Sequence, residues 1–383
     1  MKKSFWKGIS ASVIMLGLAS LFTDMSSEII EPILPLLLAS LGGGALLIGL
    51  IGGLSDAAIS LFKVFSGFFS DKIGKRKPLI FTGYAFSSFA KWFFPFITSW
   101  QFLIFRPIER MGKGFREPPR DAYLAENTKK KIHGKVFGLH KAFDICGAIL
   151  GSLMAFFLLW YFKFSFKTIL IIAASISIVA LIPLIFVKEK ARKSRKISFS
   201  VNFKGLPPKL RQFLFVAFIF AIANFSTFFL ILRANQFFSV STSVLLYVIL
   251  NTVFAIFAIP TGILADKVGK KKVLIIGYFI LAVTMLSFVF FKSLIALAVL
   301  FAFYGLAYAF IIGNERALVA DLSSKQLGTS IGTYYMLIGL TALPSSLIAG
   351  LLWQFFRPEF AFIFGAIFAF LAAIVFIPMK IKE

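Results

Sequence analysis

Twelve long apolar segments account for most of this chain of 383 residues and restrict what it can fold into. A helix needs about 20 mostly apolar residues to cross a bilayer, and each segment reaches roughly that length. The chain is 59% hydrophobic, against roughly 45–50% for soluble domains, so lipid must surround it. We therefore expect an all-α integral membrane protein with twelve transmembrane helices. Their predicted spans are residues 9–41, 45–70, 78–98, 100–125, 134–161, 164–187, 212–232, 241–265, 273–291, 294–320, 328–356 and 358–378.

A short motif that follows the second apolar segment recurs 195 residues later, after the eighth. Its matching residues are Gly67, Asp71, Gly74 and Arg76 in the first copy and Gly262, Asp266, Gly269 and Lys271 in the second. This repeat indicates a duplication and predicts two pseudo-symmetric six-helix bundles, at residues 1–187 and 212–383. Residues 188–211 carry nine cations and two prolines, and they form the predicted cytoplasmic linker between the bundles.

The ends of the fourth and tenth segments fit the same repeat, because residues 120–126 align with residues 315–321. Arg76 can reach Glu126, and Lys271 can reach Asp321, across the ends of neighbouring helices. We interpret the repeated loops and these two acids as a cytoplasmic gate, whose ion pairs form and break as the bundles move.

Lys and Arg residues are distributed unequally between the two sides of the predicted bundle. With the N-terminus inside, the cytoplasmic segments carry 27 of the 41 Lys and Arg residues, and the outer loops carry five. Cations favour short cytoplasmic loops, so we expect a multi-pass protein of the cell membrane with both termini cytoplasmic. The net charge of +25 is spread over these loops rather than a soluble domain, which argues against a nucleic-acid partner.

The repeated loop resembles the signature of the major facilitator superfamily, roughly Gly-x-x-x-Asp-Arg-x-Gly-Arg-Arg, which often reappears in the second half of a member. Lys72 and Lys267 stand where Arg is common, which keeps the charge but loses the planar guanidinium. Residues 22–28 and 110–121 are similar to a prokaryotic, drug-resistance-like branch without an established substrate. The resemblance covers nearly the whole chain, and it implies a secondary transporter with its substrate site between the bundles.

Ionisable residues inside the spans concentrate in the N-terminal half. Each costs roughly 2.5–3.5 kcal/mol on insertion scales, so such residues tend to face a cavity or a partner. Spacings of i, i+4 and i+7 place each of two sets on one helix face. These sets are Asp24, Glu28 and Glu31 in the first segment, and Arg106, Arg110 and Lys113 in the fourth.

Counting about 1.5 Å per residue from the cytoplasmic ends places Asp24 level with Arg110, and Glu28 level with Arg106. A carboxylate that pairs with Arg when ionised and releases it when protonated can link proton binding to helix movement. Acids of the first helix that face an Arg of the fourth also resemble the proton-coupling arrangement of several superfamily members. We therefore assign proton coupling to these four residues. Static ion pairs that fix packing are the alternative.

Further polar residues within the spans are candidates for the substrate cavity. The predicted set is Glu31, Asp56, Lys63, Lys113, His140, Asp144, Asn224, Asn251 and Asn314. Asp56 and Lys63 share a helix face, where they line the cavity or pair across helices. His140 and Asp144 are four residues apart and can hydrogen-bond, either structurally or as a proton relay. The three asparagines orient a substrate or hold helices together.

These features predict a proton-coupled secondary transporter, whose partners are a small-molecule substrate, protons and the lipid bilayer. Gly138, Gly147 and Gly151 match part of the antiporter signature on the fifth helix, which favours export of a small amphiphilic compound. The alternative cargo is an organic anion, because the fourth segment carries a column of cations. A non-transporting membrane sensor is less favoured, because a sensor should carry a soluble signalling domain.

The sequence does not predict catalysis. It has two His, one Cys and no recognisable metal, phosphate-loop or nucleophile–base motif, so we expect no enzyme activity, metal or cofactor. Cys146 lies within an apolar segment, where we expect a buried structural thiol. We also expect the protein to be a monomer.

Overall fold

The computed structural model describes residues 8–129, 132–189, 205–323 and 327–381, and these ranges contain helices and turns without a β-strand. The all-α prediction is therefore confirmed. The helices are α1 (Ala11–Ser40), α2 (Ala45–Ile73), α3 (Lys77–Lys91), α4 (Phe102–Glu126), α5 (His133–Trp160), α6 (Phe166–Val179), α7 (Ile182–Ile185), α8 (Pro208–Ala223), α9 (Phe228–Asn235), α10 (Val240–Val268), α11 (Lys270–Phe290), α12 (Leu294–Leu322), α13 (Leu327–Phe355) and α14 (Pro358–Phe376).

Among the described residues, ten helical spans are long and apolar enough to cross a bilayer by composition alone. The two other crossings are α3, which has only 15 residues, and α4, which carries many charged side chains. Both are held by neighbours, since α4 packs against α2 and α3. Together these spans make the twelve crossings that the sequence predicts.

Three predicted spans are interrupted rather than continuous. The third ends as α3 and continues as a 3-10 turn at Phe94–Phe96, where Pro95 lacks the N–H needed to extend an α-helix. The sixth breaks between α6 and α7, and Pro183 lies in the first turn of α7. The seventh breaks between α8 and α9, where the Ser226 N–H donates to Ser346 Oγ (3.0 Å) instead of a helix carbonyl.

The helices form two bundles, α1–α7 and α8–α14, which contact each other chiefly through α2 with α13 and α5 with α10. We call the side where α1 begins the terminal face, and the side where α1 ends and α2 begins the distal face. Helix α8 begins at Pro208, four residues before the predicted start of the second bundle. Residues 190–204 of the predicted linker lie outside the described residues.

Small residues bring α2 and α13 together toward the distal face. A Cβ at Gly49 would lie 2.5 Å from the Ser346 carbonyl oxygen, so only glycine fits this approach. Nearer the distal face, the Leu46 N–H donates to Gln354 Oε1 (3.0 Å), and α13 thereby caps the first turn of α2. Small residues allow membrane helices to approach closely, and the two bundles are closed against each other here.

The repeated loops use their glycines in two different ways. Gly74 ends α2 with φ of 71°, and Gly269 joins α10 to α11 with φ of 98°, conformations that residues with a side chain rarely adopt. Gly67 has more room, because a Cβ there would lie 3.6 Å from Pro118 Cβ, and a Cβ at Gly262 would meet nothing within 4 Å. The second glycine of each loop is therefore required by the backbone.

Cys146 is exposed on α5, so the prediction of a buried thiol is wrong. The next residue, Gly147, faces α1, and a Cβ there would overlap the Leu21 carbonyl oxygen. Consecutive residues point about 100° apart on a helix, which has 3.6 residues per turn. Cys146 is thus turned away from the bundle.

Candidate functional site

The acids of α1 meet the cations of α4 inside the first bundle. The Glu31 carboxylate accepts hydrogen bonds from both Arg106 and Arg110. Asp24 Oδ1 lies 3.7 Å from Lys113 Nζ and 3.6 Å from Arg116 Nη2. The structure therefore brings together the two ionic faces that the helical spacing predicts. We call these ion pairs of Asp24 and Glu31 with the cations of α4 the ionic ladder.

The partners within these faces differ from the predicted ones. Asp24 does not meet Arg110. The cations beside it lie further along α4 by about one to two helical turns. Arg106 pairs with Glu31 rather than with Glu28. Counting residues assumes two straight helices that start at the same depth, whereas α4 contains Pro118 and Pro119 between its end at the terminal face and Arg110.

A buried acid that the sequence analysis did not select lies behind this ladder. Glu109 is fully buried, and its Oε2 accepts from Arg106 Nη1 at 2.7 Å. Its Oε1 lies 3.8 Å from Nζ of Lys91, which is also fully buried and donates to Ser26 and Ser27 at 3.0 and 2.9 Å. Glu109 follows Arg106 by three residues on the same helix, a spacing that could have revealed the pair.

Glu28 makes polar contacts with the second bundle. Its Oε2 accepts from Tyr247 Oη at 2.9 Å and from Asn251 Nδ2 at 3.1 Å, and both donors belong to α10 of the second bundle. Thr227 of the second bundle also donates to Glu31 Oε1 at 3.5 Å. The carboxylates of α1 therefore face the second bundle as well as α4.

The remaining charged candidates of the first bundle lie in smaller groups. His140 Nε2 is 3.5 Å from Asp144 Oδ1 without a hydrogen bond, while Ser20 donates to Asp144 at 2.5 Å. Lys63 pairs with Glu117 of α4 at 2.7 Å, which is the pairing across helices left open above. Asp56 has no ion pair among the described residues.

A cavity of about 180 Å³ lies between Lys63 of the first bundle and the second bundle. Its polar and aromatic lining includes Lys63, Asn224, Tyr308, Arg316, Tyr334 and Tyr335. Of the predicted cavity residues, only Lys63 and Asn224 line it, while Asn251 contacts Glu28. The Asn314 side chain instead donates to the Phe310 carbonyl of its own helix (2.9 Å).

Glu315 is buried beside this cavity and is held by two tyrosines. Tyr278 of α11 and Tyr334 of α13 each donate to a different carboxylate oxygen at 2.6 Å. Arg316, the next residue, is exposed, and its Nε donates to the carbonyl of Ile312 one turn earlier at 3.2 Å. Arg316 is therefore available to a ligand, whereas the adjacent Glu315 is not.

The repeated loops form ion pairs at the terminal face. Arg76 contacts Asp71 at 2.6 Å and Glu126 at 2.9 Å. Partial burial disfavours the charge of Arg76, but hydrogen bonds to Glu126 and Asp71 outweigh that effect and raise its pKa above the ordinary value. These three residues all belong to the first bundle, so this pair does not bridge the bundles in this conformation.

The second copy uses a different lysine from the predicted one. Asp321 pairs with Lys270 at 2.8 Å, and Lys270 also lies 3.4 Å from Asp266. Lys271 instead donates to the carbonyls of Ile377 and Met379 at 2.8 and 2.6 Å. Lysines 270 and 271 both lie in the first turn of α11, where one position changes the direction of a side chain by about 100°.

Comparisons with known proteins agree with this architecture. The sequence model of the Major Facilitator Superfamily matches residues 16–251 and 213–382. An uncharacterized MFS-type transporter of Methanocaldococcus jannaschii is 45% identical over 377 residues, which cover 96% of this chain and 94% of the relative. Multidrug resistance protein MdtH of Cronobacter sakazakii is 27% identical over 158 residues, 40% of this chain and 36% of MdtH. The crystal structure of nucleoside transporter NupG superimposes with a TM-score of 0.74 at 14% identity, covering 98% of this chain and 100% of NupG.

Two bundles of membrane-length helices with paired charges buried inside them define a multi-pass membrane protein. The chain belongs to the Major Facilitator Superfamily, as the family match and the relative from Methanocaldococcus jannaschii both show. The resemblance of the repeated loops to the superfamily signature is thereby confirmed.

Proposed function

We propose that this protein is a proton-coupled secondary transporter that moves a small molecule across the cell membrane by alternating access. In this proposal, the bundles at residues 1–187 and 212–383 rock against each other around a site near the midplane. The terminal face is cytoplasmic, as the distribution of Lys and Arg indicates. The gate lies at that face and consists of Asp71, Arg76, Glu126, Asp266 and Asp321, whose ion pairs lie within single bundles in this conformation and exchange partners as the bundles move.

The contact of Glu28 with Tyr247 and Asn251 is the observation that carries this proposal. It joins a carboxylate of one bundle to two hydrogen-bond donors of the other. An ionised carboxylate accepts strongly from such donors, because hydrogen bonds to a charged group are about twice as strong as neutral ones. A proton on Glu28 removes that charge and weakens the tie between the bundles.

The ion pairs of the neighbouring carboxylates support a coupling role for Glu28. Glu31 is engaged by two arginines, and Asp24 lies between Lys113 and Arg116, so both carboxylates have cationic partners on α4. Glu28 instead has two neutral donors. A carboxylate without a close cation takes up a proton more readily than a paired one. Glu28 therefore carries the proton, while Asp24, Arg106 and Arg110 hold the ionic ladder.

We propose export by antiport as the direction of transport, with a small amphiphilic compound as the cargo. The partial antiporter signature on α5 supports this direction, and so does the name of the relative MdtH. The glycines of that signature also have a packing role, because Gly147 and Gly151 lie against carbonyl oxygens of α1. The protein acts as a monomer in this scheme.

The proposal is tested with purified protein in liposomes that carry an imposed pH gradient. The wild type is assayed for gradient-driven movement and for exchange of the same compound without a gradient, using a panel of cationic drugs and organic anions. We expect Glu28→Gln to lose gradient-driven movement and to retain exchange, because only the proton-binding step is removed.

Two further variants complete this experiment. Asp121→Asn removes an acid of α4 that lies outside the proposed site and has 51% of its side chain exposed, and it should behave as the wild type. Asp24→Asn should impair both gradient-driven movement and exchange, because it breaks the ionic ladder. Normal gradient-driven transport by Glu28→Gln would refute the assignment of Glu28.

A further inference from the structure

We infer that the cavity between the bundles binds the acidic group of a compact aromatic anion, held between Arg316 and Lys63 beside Tyr335. This inference rests on the proposed transport function and adds the chemical class of the cargo to it. The cavity is the one of about 180 Å³ described above, to which each bundle contributes one cation.

Arg316 offers hydrogen-bond donors that the protein itself does not use. A guanidinium has five N–H donors. In Arg316, Nε donates to Ile312 and Nη1 lies 3.5 Å from Tyr335 Oη, at the limit of a hydrogen bond. No acid of the described residues forms a salt bridge with it. The planar guanidinium is therefore free to take a carboxylate in two parallel hydrogen bonds.

Lys63 brings the second positive charge to the same place. Its Nζ lies 5.0 Å from the centre of the Tyr335 ring, so Tyr335 touches the cation of each bundle. Glu117 engages Lys63 at 2.7 Å, but an ammonium carries three donors and can hold a second acceptor. An anion beside Tyr335 would thus connect the two bundles, as the cargo of an alternating-access transporter must.

Glu315, the acid in the cavity wall, is not available to bind a cationic cargo. Both oxygens of Glu315 accept from tyrosines at 2.6 Å, and its exposed fraction is only 3%. A cationic ligand would have to displace these hydrogen bonds, whereas an anion finds Arg316 already exposed. The electrostatics of the accessible wall therefore favour an anion over a cation.

The size and walls of the cavity restrict the rest of the ligand. Drug-sized sites enclose roughly 300–1,000 Å³, so a cavity of about 180 Å³ suits a molecule of one or two rings. Phe220, Tyr308 and Tyr334 offer aromatic faces around it. Aromatic rings pack favourably in offset or edge-to-face arrangements, which selects a flat ring system.

The test measures binding to purified protein in detergent, without a gradient, by the shift in thermal unfolding. The probes are benzene, naphthalene and indole rings, each carrying a carboxylate, a carboxamide or a methylammonium group. A ligand that binds only the folded state raises the unfolding temperature, and the stabilisation grows with the logarithm of one plus the ratio of the ligand concentration to Kd. We expect at least one carboxylate probe to raise the unfolding temperature of the wild type. The amide and ammonium probes with the same ring should have no effect at equal concentration.

Variants then assign the binding to the site. Arg316→Gln should weaken carboxylate binding by roughly tenfold or more, the loss expected for a charge-assisted contact, and Lys63→Gln should weaken it less. Arg357→Ala is the control, because Arg357 lies near the distal face with 73% of its side chain exposed. This variant should bind the carboxylate as tightly as the wild type does.

Two results would overturn the inference. One is that the ammonium probes stabilise the protein and lose this effect in Glu315→Gln but not in Arg316→Gln. The other is that none of the carboxylates stabilises the wild type. Because binding is measured without a gradient, neither result tests the coupling role of Glu28, which the transport experiment with Glu28→Gln tests separately. Conversely, normal proton coupling in Glu28→Gln would leave this binding test unaffected.

Discussion

Lys91 Nζ and Glu109 Oε1 lie 3.8 Å apart between α3 and α4, and neither side chain has any exposed surface. Removing one partner of a buried ion pair leaves an uncompensated charge and typically costs about 3–5 kcal/mol. We expect Glu109→Gln to lower the free energy of unfolding by about that amount, because Arg106 also loses its contact with the acid.

Thermal unfolding in detergent, followed by circular dichroism, measures this loss. Asp266→Asn is the matched control, since it removes an acid that is 74% exposed, and it should leave the unfolding temperature unchanged. Lys91→Met combined with Glu109→Gln should lose less than the sum of the single variants. Strict additivity would show that Lys91 and Glu109 do not interact.

The glycines of α5 make a second prediction. A Cβ at Gly151 would overlap the Met25 carbonyl oxygen, whereas a Cβ at Gly138 would meet nothing within 4 Å. Gly151→Ala should therefore force α1 and α5 apart and cost about 1–3 kcal/mol, the usual range for overpacking. Gly138→Ala should not destabilise the protein. Equal unfolding temperatures for the two variants would contradict the close packing of these helices.

Cys146 should tolerate replacement. Its side chain is exposed on α5, and substitutions at such positions usually change stability by within about 0.5 kcal/mol. We expect Cys146→Ala to retain the unfolding temperature and the transport activity of the wild type. The variant lacks cysteine altogether, so single cysteines can then be placed as labels. A large loss of stability would instead indicate that the thiol is buried.

Gln354 should keep the distal face closed. Its side chain caps the first turn of α2 across the bundle interface, beside a cavity of about 230 Å³ that is lined in part by Asn235 and Gln236. Loss of a cap costs about 1 kcal/mol, which corresponds to roughly a fivefold shift in an equilibrium. Gln354→Ala should therefore open the distal face more often.

Labelling measures this opening. In the cysteine-free background, Asn235→Cys is treated with a membrane-impermeant maleimide, and Gln354→Ala should raise the labelling rate several-fold. Gln236→Ala is the matched control, because Gln236 lines the same cavity but contacts Arg233 of its own bundle at 2.9 Å. Unchanged labelling in Gln354→Ala would show that the cap does not hold the bundles together.

The positions of the helices could be predicted from the sequence because lipid imposes a minimum length of apolar chain. The breaks within three of them were harder to predict. Pro95 and Pro183 mark two of these breaks, but Pro32 and Pro35 lie within the continuous α1. The third break is accompanied by a hydrogen bond from the Ser226 N–H to Ser346 Oγ. These two residues are 120 positions apart in sequence.

The residues of the ionic ladder could also be predicted, since an acid or base within a span needs a partner. Their exact pairing could not. Asp24 meets Lys113 and Arg116, which lie about one to two helical turns along α4 from the Arg110 that counting gives. The contact of Glu28 with Tyr247 depends on the packing of the two bundles, which a single sequence does not specify.

The charges of α4 also bear on how the protein is made. This helix is not among the ten spans that are apolar enough to cross a bilayer alone, and each Arg, Lys or Asp at a helix centre opposes release from the translocon by roughly 2.5–3.5 kcal/mol. Glu31 and Asp24 of α1 and Lys91 of α3 are synthesised first, and they offer α4 its counter-charges and its partner for Glu109. We therefore expect α1 and α3 to remain beside the translocon until α4 has been made, whereas the apolar helices of the second bundle can enter lipid one at a time.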